Sequence, residues 1–210
     1  MEKITLSIPT EVNENDIDLY RTLRTKLELA VGDKKVVTVS SSLSGEGKTT
    51  VSLNLARSLS YIGKKVLFLD GNLKDSDIIK RYQLNEPVKG LNSYLHGESN
   101  IENIICYSDK INLSLILCEK SSPSSTELLD SELFRKLILQ LRNEYDYVII
   151  DTPALEKAID AIIIARESDC VIMVVEENRV NQADVKKNLE LLKEAQSHVL
   201  GIVMNKVQNI

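Results

Sequence analysis

Two hydrophobic patterns alternate along the chain. In the first, short runs of consecutive residues are nearly all apolar, as expected for strands that are buried on both faces of a sheet. The strands predicted in this way cover residues 35–39, 64–70, 112–117, 145–151, 170–175 and 199–205.

In the second pattern, apolar residues recur every three or four positions, which is typical of a helix with one buried face. The longer helices predicted in this way cover residues 16–30, 50–59, 77–82, 126–141, 160–167 and 181–196. Short helical turns are expected at 90–95 and 101–105. Strands that alternate with helices predict an α/β fold with a mostly parallel β-sheet, covered by helices on both faces.

Length, charge and cysteine content narrow the class of protein. The 210 residues suit a polar lead-in over residues 1–15 and one domain over residues 16–210. The formal net charge of −5 argues against a general nucleic-acid binder. No apolar run approaches the ~20 residues of a membrane span, and the first residues lack the apolar core of a signal peptide. We therefore expect a cytoplasmic protein with no span of its own, in which Cys118 and Cys170 are buried.

The stretch from 40 to 50 carries the clearest chemistry. It joins a predicted strand to a predicted helix and contains Gly45, Gly47 and the Gly-Lys-Thr triplet of a P-loop. Glycines let the backbone wrap round an anion, Lys48 reaches the β- and γ-phosphates of a nucleotide, and the Thr49 hydroxyl ligates Mg²⁺. The sequence therefore predicts a P-loop NTPase that binds ATP and Mg²⁺, with Ser42 in place of the usual first glycine. The residues predicted to bind ATP in this loop are Ser44, Gly45, Glu46, Gly47, Lys48, Thr49 and Thr50.

Two aspartates end other predicted strands, at the edge of the sheet where doubly wound folds bind their ligands. Asp151 follows four apolar residues and fits the Walker B position that holds Mg²⁺. Asp70 fits a second carboxylate that accepts a proton from an attacking hydroxyl or binds the metal. The alternative for both is an aspartate that only caps the next helix or turn. Asn205 ends the last strand and either hydrogen-bonds the adenine edge or serves as a turn residue.

The first predicted helix carries a charged stripe. Asp18, Arg21 and Arg24 recur at three-residue spacing and share one helix face. The stripe is either a solvated surface or the contact edge for a neighbouring subunit.

Several motifs, in order along the chain, resemble those of the bacterial tyrosine kinases (BY-kinases). The residues from 20 to 24 resemble the family's N-terminal E-x-x-R-x-x-R helix, with Asp18 in place of Glu, and residues 44–50 resemble its P-loop. The stretch 68–74 is similar to its extra acidic motif. Further matches are Gly90-Leu91, Leu95-His96-Gly97, Thr126-Glu127-Leu128-Leu129 and Asp151-Thr152-Pro153.

The resemblance implies a kinase that transfers the ATP γ-phosphate to protein tyrosines. It also implies a membrane-anchored activator that controls capsule or exopolysaccharide chain length, and subunits that form rings. By that analogy Lys48 and Thr49 bind MgATP, Asp151 holds the metal and Asp70 activates the hydroxyl. The charged residues Arg21 and Arg24 would lie at the subunit contact, and the activator would recruit the chain to the inner face of the cell membrane.

The sequence also departs from the family pattern. Asn72 stands where the family has a second aspartate, and an amide is a weaker metal ligand that cannot act as a base. Lys74 replaces an arginine, Asp75-Ser76 replaces a basic-proline pair, and the proline-rich loop retains only Pro123. The last tyrosine of the sequence is Tyr147, so we expect no self-phosphorylation of a tail within this sequence.

These departures leave a second function open, an ATP-binding subunit that assembles but transfers phosphate poorly. A septum-site or partition ATPase is a third, weaker interpretation, because such proteins carry a lysine at the place of Leu43. An iron–sulfur ATPase is disfavoured by the wide spacing of the cysteines.

Overall fold

The computed structural model describes residues 2–3, 14–33, 35–76, 78–81, 84, 87–156 and 159–208. Its strands are β1 (Glu2–Lys3), β2 (Val36–Ser41), β3 (Val66–Asp70), β4 (Cys106–Ser108), β5 (Leu113–Ile116), β6 (Tyr147–Asp151), β7 (Cys170–Glu176) and β8 (Val199–Asn205). In the described part of the chain they form one sheet of eight strands in the order β1-β4-β5-β3-β6-β2-β7-β8.

The helices are α1 (Glu14–Val31), α2 (Lys48–Tyr61), α3 (Ile78–Arg81), α4 (Leu91–Leu95), α5 (Ile101–Ile104), α6 (Ser125–Leu129), α7 (Glu132–Glu144), α8 (Ile159–Glu167) and α9 (Gln182–Glu194). Most of the predicted lead-in over residues 1–15, and both ends of the predicted helix 77–82, lie outside the described residues.

The sheet is mostly parallel and covered on both faces, as the apolar runs predict. The exceptions are β4, which runs antiparallel to β5, and β1, which is parallel to β4. Alternate residues of each strand point to opposite faces. In β2, Val37 and Val39 pack with α1 and α2, whereas Val36 joins the core beneath α4 to α8. A smaller cluster packs α8 and α9 on β7. The expectation for the cysteines is confirmed, since Cys118 and Cys170 are both buried.

The prediction of one long helix over 126–141 is wrong, because the chain breaks between α6 and α7. Ser131 caps α7: its Oγ accepts a hydrogen bond from Phe134 N at 3.3 Å and donates one to Leu128 O at 2.6 Å. Thr126, the expected cap, instead donates to Asp160 Oδ1 at 2.6 Å. Both helices pack against the same part of the core, so the apolar stripe runs across the break.

The order of the strands positions the functional residues. β2 lies between β6 and β7, and β3 lies on the other side of β6. These four strands are parallel, so their carboxyl ends meet at one edge of the sheet. The loop before α2, Asp70 at the end of β3 and Asp151 at the end of β6 therefore lie along that edge.

Candidate nucleotide-binding and catalytic site

The loop between β2 and α2 has the backbone shape of a phosphate-binding nest. Gly45 and Gly47 adopt left-handed conformations with φ of 83° and 89°. A Cβ on Gly47 would lie 2.1 Å from Asn205 Nδ2, so only glycine fits there without displacing that amide. Gly47 precedes α2, and Lys48, the first residue of the helix, is half-buried. The strand, loop and helix around the Gly-Lys-Thr triplet are confirmed.

Glu46 turns its side chain into the protein. The residue is fully buried, and its carboxylate accepts hydrogen bonds from Leu43 N at 2.6 Å and Glu176 N at 2.9 Å. The Glu46 carboxylate therefore holds the loop to its own start and to the end of β7. Its backbone N–H remains the group that we predict to face a phosphate.

The first half of the loop is held by a residue that the sequence did not single out. Glu156 Oε1 accepts from Ser44 N at 2.7 Å, and Glu156 N donates to Ser42 O at 3.1 Å. Ser42 replaces the usual first glycine, and its Oγ is buried without a hydrogen-bond partner among the described residues. Either a ligand or an ordered water molecule would satisfy a buried hydroxyl in this state.

Thr49 and Asp151 bring together the oxygens that Mg²⁺ prefers. Thr49 Oγ1 donates to Asp151 Oδ2 at 2.6 Å, and Ser52 Oγ donates to Asp151 Oδ1 at 3.2 Å. Asp151 is almost completely buried, so these hydroxyls fix the position of its carboxylate. A hydroxyl and a carboxylate beside a phosphate nest are hard oxygen donors of the kind found in magnesium sites. The residues present therefore fit MgATP.

Asp70 is a buried carboxyl group with an unusual pKa. Burial raises its pKa from 3.8 to about 7, and the charge of Asp151 raises it as well, whereas the hydrogen bond from Ser76 lowers it. Ser76 Oγ and Cys118 N bond to Oδ2, and Asn72 N donates to Oδ1 at 3.2 Å. A carboxyl group of this kind takes up and releases a proton near neutral pH, as a general base must.

The loop that follows Asp70 is closed on itself. Asn72 Nδ2 donates to Asp75 O at 2.8 Å, and Asp75 N donates back to Asn72 Oδ1 at 3.2 Å. The Asn72 amide thus stabilises a turn. The neighbouring Lys74 Nζ lies 3.3 Å from Oδ2 of Asp160, a fully buried carboxylate.

Asp160 also accepts hydrogen bonds from Ser125 Oγ at 2.7 Å and Thr126 Oγ1 at 2.6 Å, so it ties this loop to α6 and α8. The sequence prediction missed Asp160. The available signal was an aspartate inside an otherwise apolar helix pattern.

Asn205 lies beside the P-loop, at the end of β8. Its Nδ2 donates to Glu46 O at 2.8 Å. The side chain therefore contacts the loop backbone, and hydrogen bonding of its amide to adenine stays a prediction.

The charged stripe on α1 divides into two parts. Arg21 NH1 is paired with Asp18 Oδ1 at 2.8 Å, and both side chains are more than half exposed. The Arg24 side chain is only 15% exposed, and its NH1 donates to Ser58 O on α2 at 2.9 Å. Arg21 and Asp18 are thus the exposed part of the stripe, whereas Arg24 packs α1 against α2.

The fold and site are those of a P-loop nucleotide-binding protein. The family model described as an AAA domain matches residues 34–206. Tyrosine-protein kinase CpsD of Streptococcus pneumoniae serotype 4 is 37% identical over 191 residues, which cover 90% of this chain and 84% of CpsD. The chain belongs to the bacterial tyrosine-kinase (BY-kinase) family.

Two solved structures place the fold more closely. The chimerical protein CapA2B2 superposes with a TM-score of 0.87 at 26% identity, covering 96% of this chain and 88% of the chimera. The septum site-determining protein MinD of Pyrococcus horikoshii, complexed with Mg-ADP, gives a TM-score of 0.70 at 25% identity and covers 81% of this chain and 69% of MinD. Among the described residues, none of the helices has the length and apolar composition needed to cross a membrane.

Proposed function

We propose that this chain is an ATP-dependent protein-tyrosine kinase of the bacterial P-loop type. The observation that carries the proposal is the placement of Asp70. It is a buried carboxyl group with a pKa near 7, located at the strand edge that also holds Asp151 and the P-loop. A general base works best when its pKa lies near the working pH. Relatives named tyrosine-protein kinases support the same reaction.

The remaining residues take roles in nucleotide binding. Thr49 Oγ1 and the Asp151 carboxylate would hold Mg²⁺, while the loop N–H groups and the Lys48 ammonium would bind the phosphates. When bound there, ATP would supply the phosphoryl group, and Mg²⁺ would neutralise part of the phosphate charge. The positive end of α2 adds to the attraction for the phosphates.

Asp70 acts on the acceptor. Its carboxylate would take the proton from the tyrosine hydroxyl as that oxygen attacks the γ-phosphorus. The bond from the γ-phosphorus to the bridging oxygen then breaks, and ADP leaves with that oxygen. The hydrogen bonds from Ser76 Oγ and Cys118 N hold the carboxylate in one orientation. The sequence also allows Asp70 to bind the metal. We favour the role of base, because a pKa of about 7 lets the Asp70 carboxyl group accept and release a proton near neutral pH.

The cellular setting is the finer part of the proposal, and the family resemblance supports it. A membrane-anchored activator would recruit this cytoplasmic chain to the inner face of the membrane, where it would regulate capsule or exopolysaccharide synthesis. We propose that subunits assemble into a ring through the face of α1 that carries Asp18 and Arg21. Their exposure leaves them accessible to a second subunit.

The turn at Asn72 favours a second candidate, an ATP-binding subunit that assembles but transfers phosphate poorly. The Asn72 amide is bonded to Asp75 backbone atoms, and it supplies no carboxylate to the site. A site with fewer carboxylates binds the metal less strongly.

One assay separates these functions. The purified chain is incubated with Mg²⁺, γ-labelled ATP and a tyrosine-containing acceptor polypeptide, and phosphotyrosine and bound nucleotide are both measured. We expect phosphotyrosine from the wild type and none from Lys48→Met. The variant Lys136→Met, which changes an exposed lysine on α7, is the matched control. Bound ATP without phosphotyrosine supports the second candidate. If Lys48→Met keeps an ATP affinity within about tenfold of the wild type, ~1.4 kcal/mol, the assignment of the P-loop is wrong.

A further inference from the structure

Three consecutive carbonyl groups of the P-loop accept hydrogen bonds from side chains outside the loop. Arg179 NH2 donates to Ser44 O at 2.8 Å, and Lys206 Nζ donates to Gly45 O at 2.9 Å. The third bond runs from Asn205 Nδ2 to Glu46 O at 2.8 Å. Asn205 is the last residue of β8, Lys206 follows it, and Arg179 follows the end of β7, so all three donors are far from the loop in sequence.

The orientation of these carbonyls fixes the direction of the loop amides. In a trans peptide the C=O and the N–H of the next residue point in opposite directions. Holding the carbonyls of Ser44, Gly45 and Glu46 outward therefore turns the N–H groups of Gly45, Glu46 and Gly47 inward. Those are the groups that form an anion nest.

A carboxylate joins the two cationic donors. Glu176 Oε2 lies 2.7 Å from Arg179 NH1 and 3.0 Å from Lys206 Nζ. The hydrogen bonds from Arg179 and Lys206 hold the pKa of Glu176 below its usual value. Glu176 N in turn donates to Glu46 Oε1, so the carboxylate and the backbone of one residue support the same loop.

The backbone at Lys206 is also unusual. Its φ of 55° is left-handed, which is uncommon for a residue other than glycine, asparagine or aspartate. Such conformations persist where surrounding contacts determine them. Here the contacts are the bonds of its ammonium to Gly45 O and Glu176.

We propose that Arg179, Lys206 and Asn205 are positioning residues of the P-loop, which orient its peptide units so that their amides converge on the nucleotide phosphates. Glu176 holds the two cations in place. The inference rests on the nucleotide site proposed above and extends it to residues outside the P-loop motif.

The test measures Mg·ADP affinity by calorimetry and the mobility of the Gly45–Gly47 amides by ¹⁵N relaxation in nucleotide-free protein. We expect Arg179→Ala combined with Lys206→Ala to weaken Mg·ADP binding about tenfold and to increase amide mobility. Alanine has a Cβ, as lysine does, so the backbone strain at position 206 stays similar in Lys206→Ala. A change in affinity or mobility therefore reports the loss of the Lys206 ammonium. Arg135→Ala is the matched control, because Arg135 is equally exposed and ion-paired on α7.

Glu176→Gln distinguishes positioning of the P-loop from simple attraction between charges. It also provides a second test of the inference if the double variant does not fold. It removes the carboxylate charge that pairs with Arg179 and Lys206. It also removes a negative charge close to the proposed phosphate site. Positioning predicts weaker binding for this variant, whereas charge attraction alone predicts tighter binding.

Tighter binding by Glu176→Gln would overturn the inference, and so would affinity within twofold of wild type for the double variant. A wild type that binds no Mg·ADP would contradict the proposed function as well. Wild-type binding that none of these variants changes would contradict this inference alone.

Discussion

Asp70 and Asp151 are register partners at the ends of the neighbouring parallel strands β3 and β6. Their surroundings differ. Asp151 accepts hydrogen bonds from the hydroxyls of Thr49 and Ser52, whereas Asp70 is bonded by the Ser76 hydroxyl and two backbone N–H groups. The charge of Asp151 also helps to raise the pKa of Asp70. The pair thus separates into a carboxylate suited to metal binding and one suited to proton transfer.

The raised pKa of Asp70 predicts how stability depends on pH. The folded pKa of about 7 exceeds the ordinary value of 3.8, so the folded state holds a proton that the unfolded state has lost. Stability from this group is therefore lost as pH rises from about 4 to 7. In metal-free protein we expect Asp70→Asn to stabilise the fold relative to wild type at pH 8, by at most about 4 kcal/mol. The gain should disappear near pH 4.

Urea unfolding in a chelator at both pH values measures this effect. Asp75→Asn is the control, because Asp75 lies in the same loop with an exposed side chain. A stability difference that is the same at pH 4 and pH 8 would show that Asp70 does not have a raised pKa.

Thr49 should determine the effect of Mg²⁺ on nucleotide binding. We expect Thr49→Ala to lose most of the increase in ADP affinity that Mg²⁺ produces, because the hydroxyl is the proposed metal ligand and donates a hydrogen bond to Asp151. Thr49→Ser keeps the hydroxyl and should restore the increase. Titrations of ADP with and without Mg²⁺ provide the measurement. An equal Mg²⁺ effect in the wild type and Thr49→Ala would place the metal elsewhere.

The two arginines of α1 should respond differently to substitution. Arg24→Ala removes the bond to Ser58 O and should lower the unfolding temperature, since it leaves a half-buried carbonyl without that donor. Arg21→Ala removes only an exposed pair with Asp18, worth less than about 1 kcal/mol, and should leave the fold intact. We expect Arg21→Ala to reduce assembly instead. Thermal unfolding measures the effect on stability, and sedimentation measures the effect on assembly. If the wild type is oligomeric and Arg21→Ala sediments in the same way, Arg21 is a solvated surface residue and not a subunit contact.

Asn72 tests whether the acidic motif limits the reaction. Asn72→Asp removes the Nδ2 donor to Asp75 O and should destabilise the turn by about 1 kcal/mol. The new carboxylate adds a metal ligand, so we expect phosphotyrosine formation to increase severalfold at low Mg²⁺. The Mg²⁺ dependence of the rate measures this. A rate equal to that of the wild type would show that Asn72 does not restrict the reaction.

Local patterns predicted most of the fold and the loop at its centre. The apolar runs of β2, β3 and β6 are local, and so is the Gly-Lys-Thr triplet. The rule that parallel strands end together brought Asp70 and Asp151 to the P-loop without coordinates. β4 was missed because its three residues contain no apolar run and its pairing with β5 is set by tertiary contacts.

Local sequence patterns did not predict the directions in which the site's side chains point, because distant residues determine them. The carboxylate of Glu46 turns inward to an N–H donor 130 residues away in sequence, and Asn205 bonds a carbonyl 159 residues away. The same holds for Asp160, whose partners come from two separate segments, α6 and the loop after β3. The break between α6 and α7 was missed for a different reason, because both helices share one apolar stripe.

The most direct test of the central claim is the rate of a single phosphoryl transfer to tyrosine, measured at saturating MgATP for the wild type and Asp70→Asn. The account predicts phosphotyrosine formation by the wild type, a fall of at least about 100-fold in Asp70→Asn, and ATP affinities within twofold of each other. A rate that Asp70→Asn leaves unchanged would contradict the assignment of Asp70 as the base.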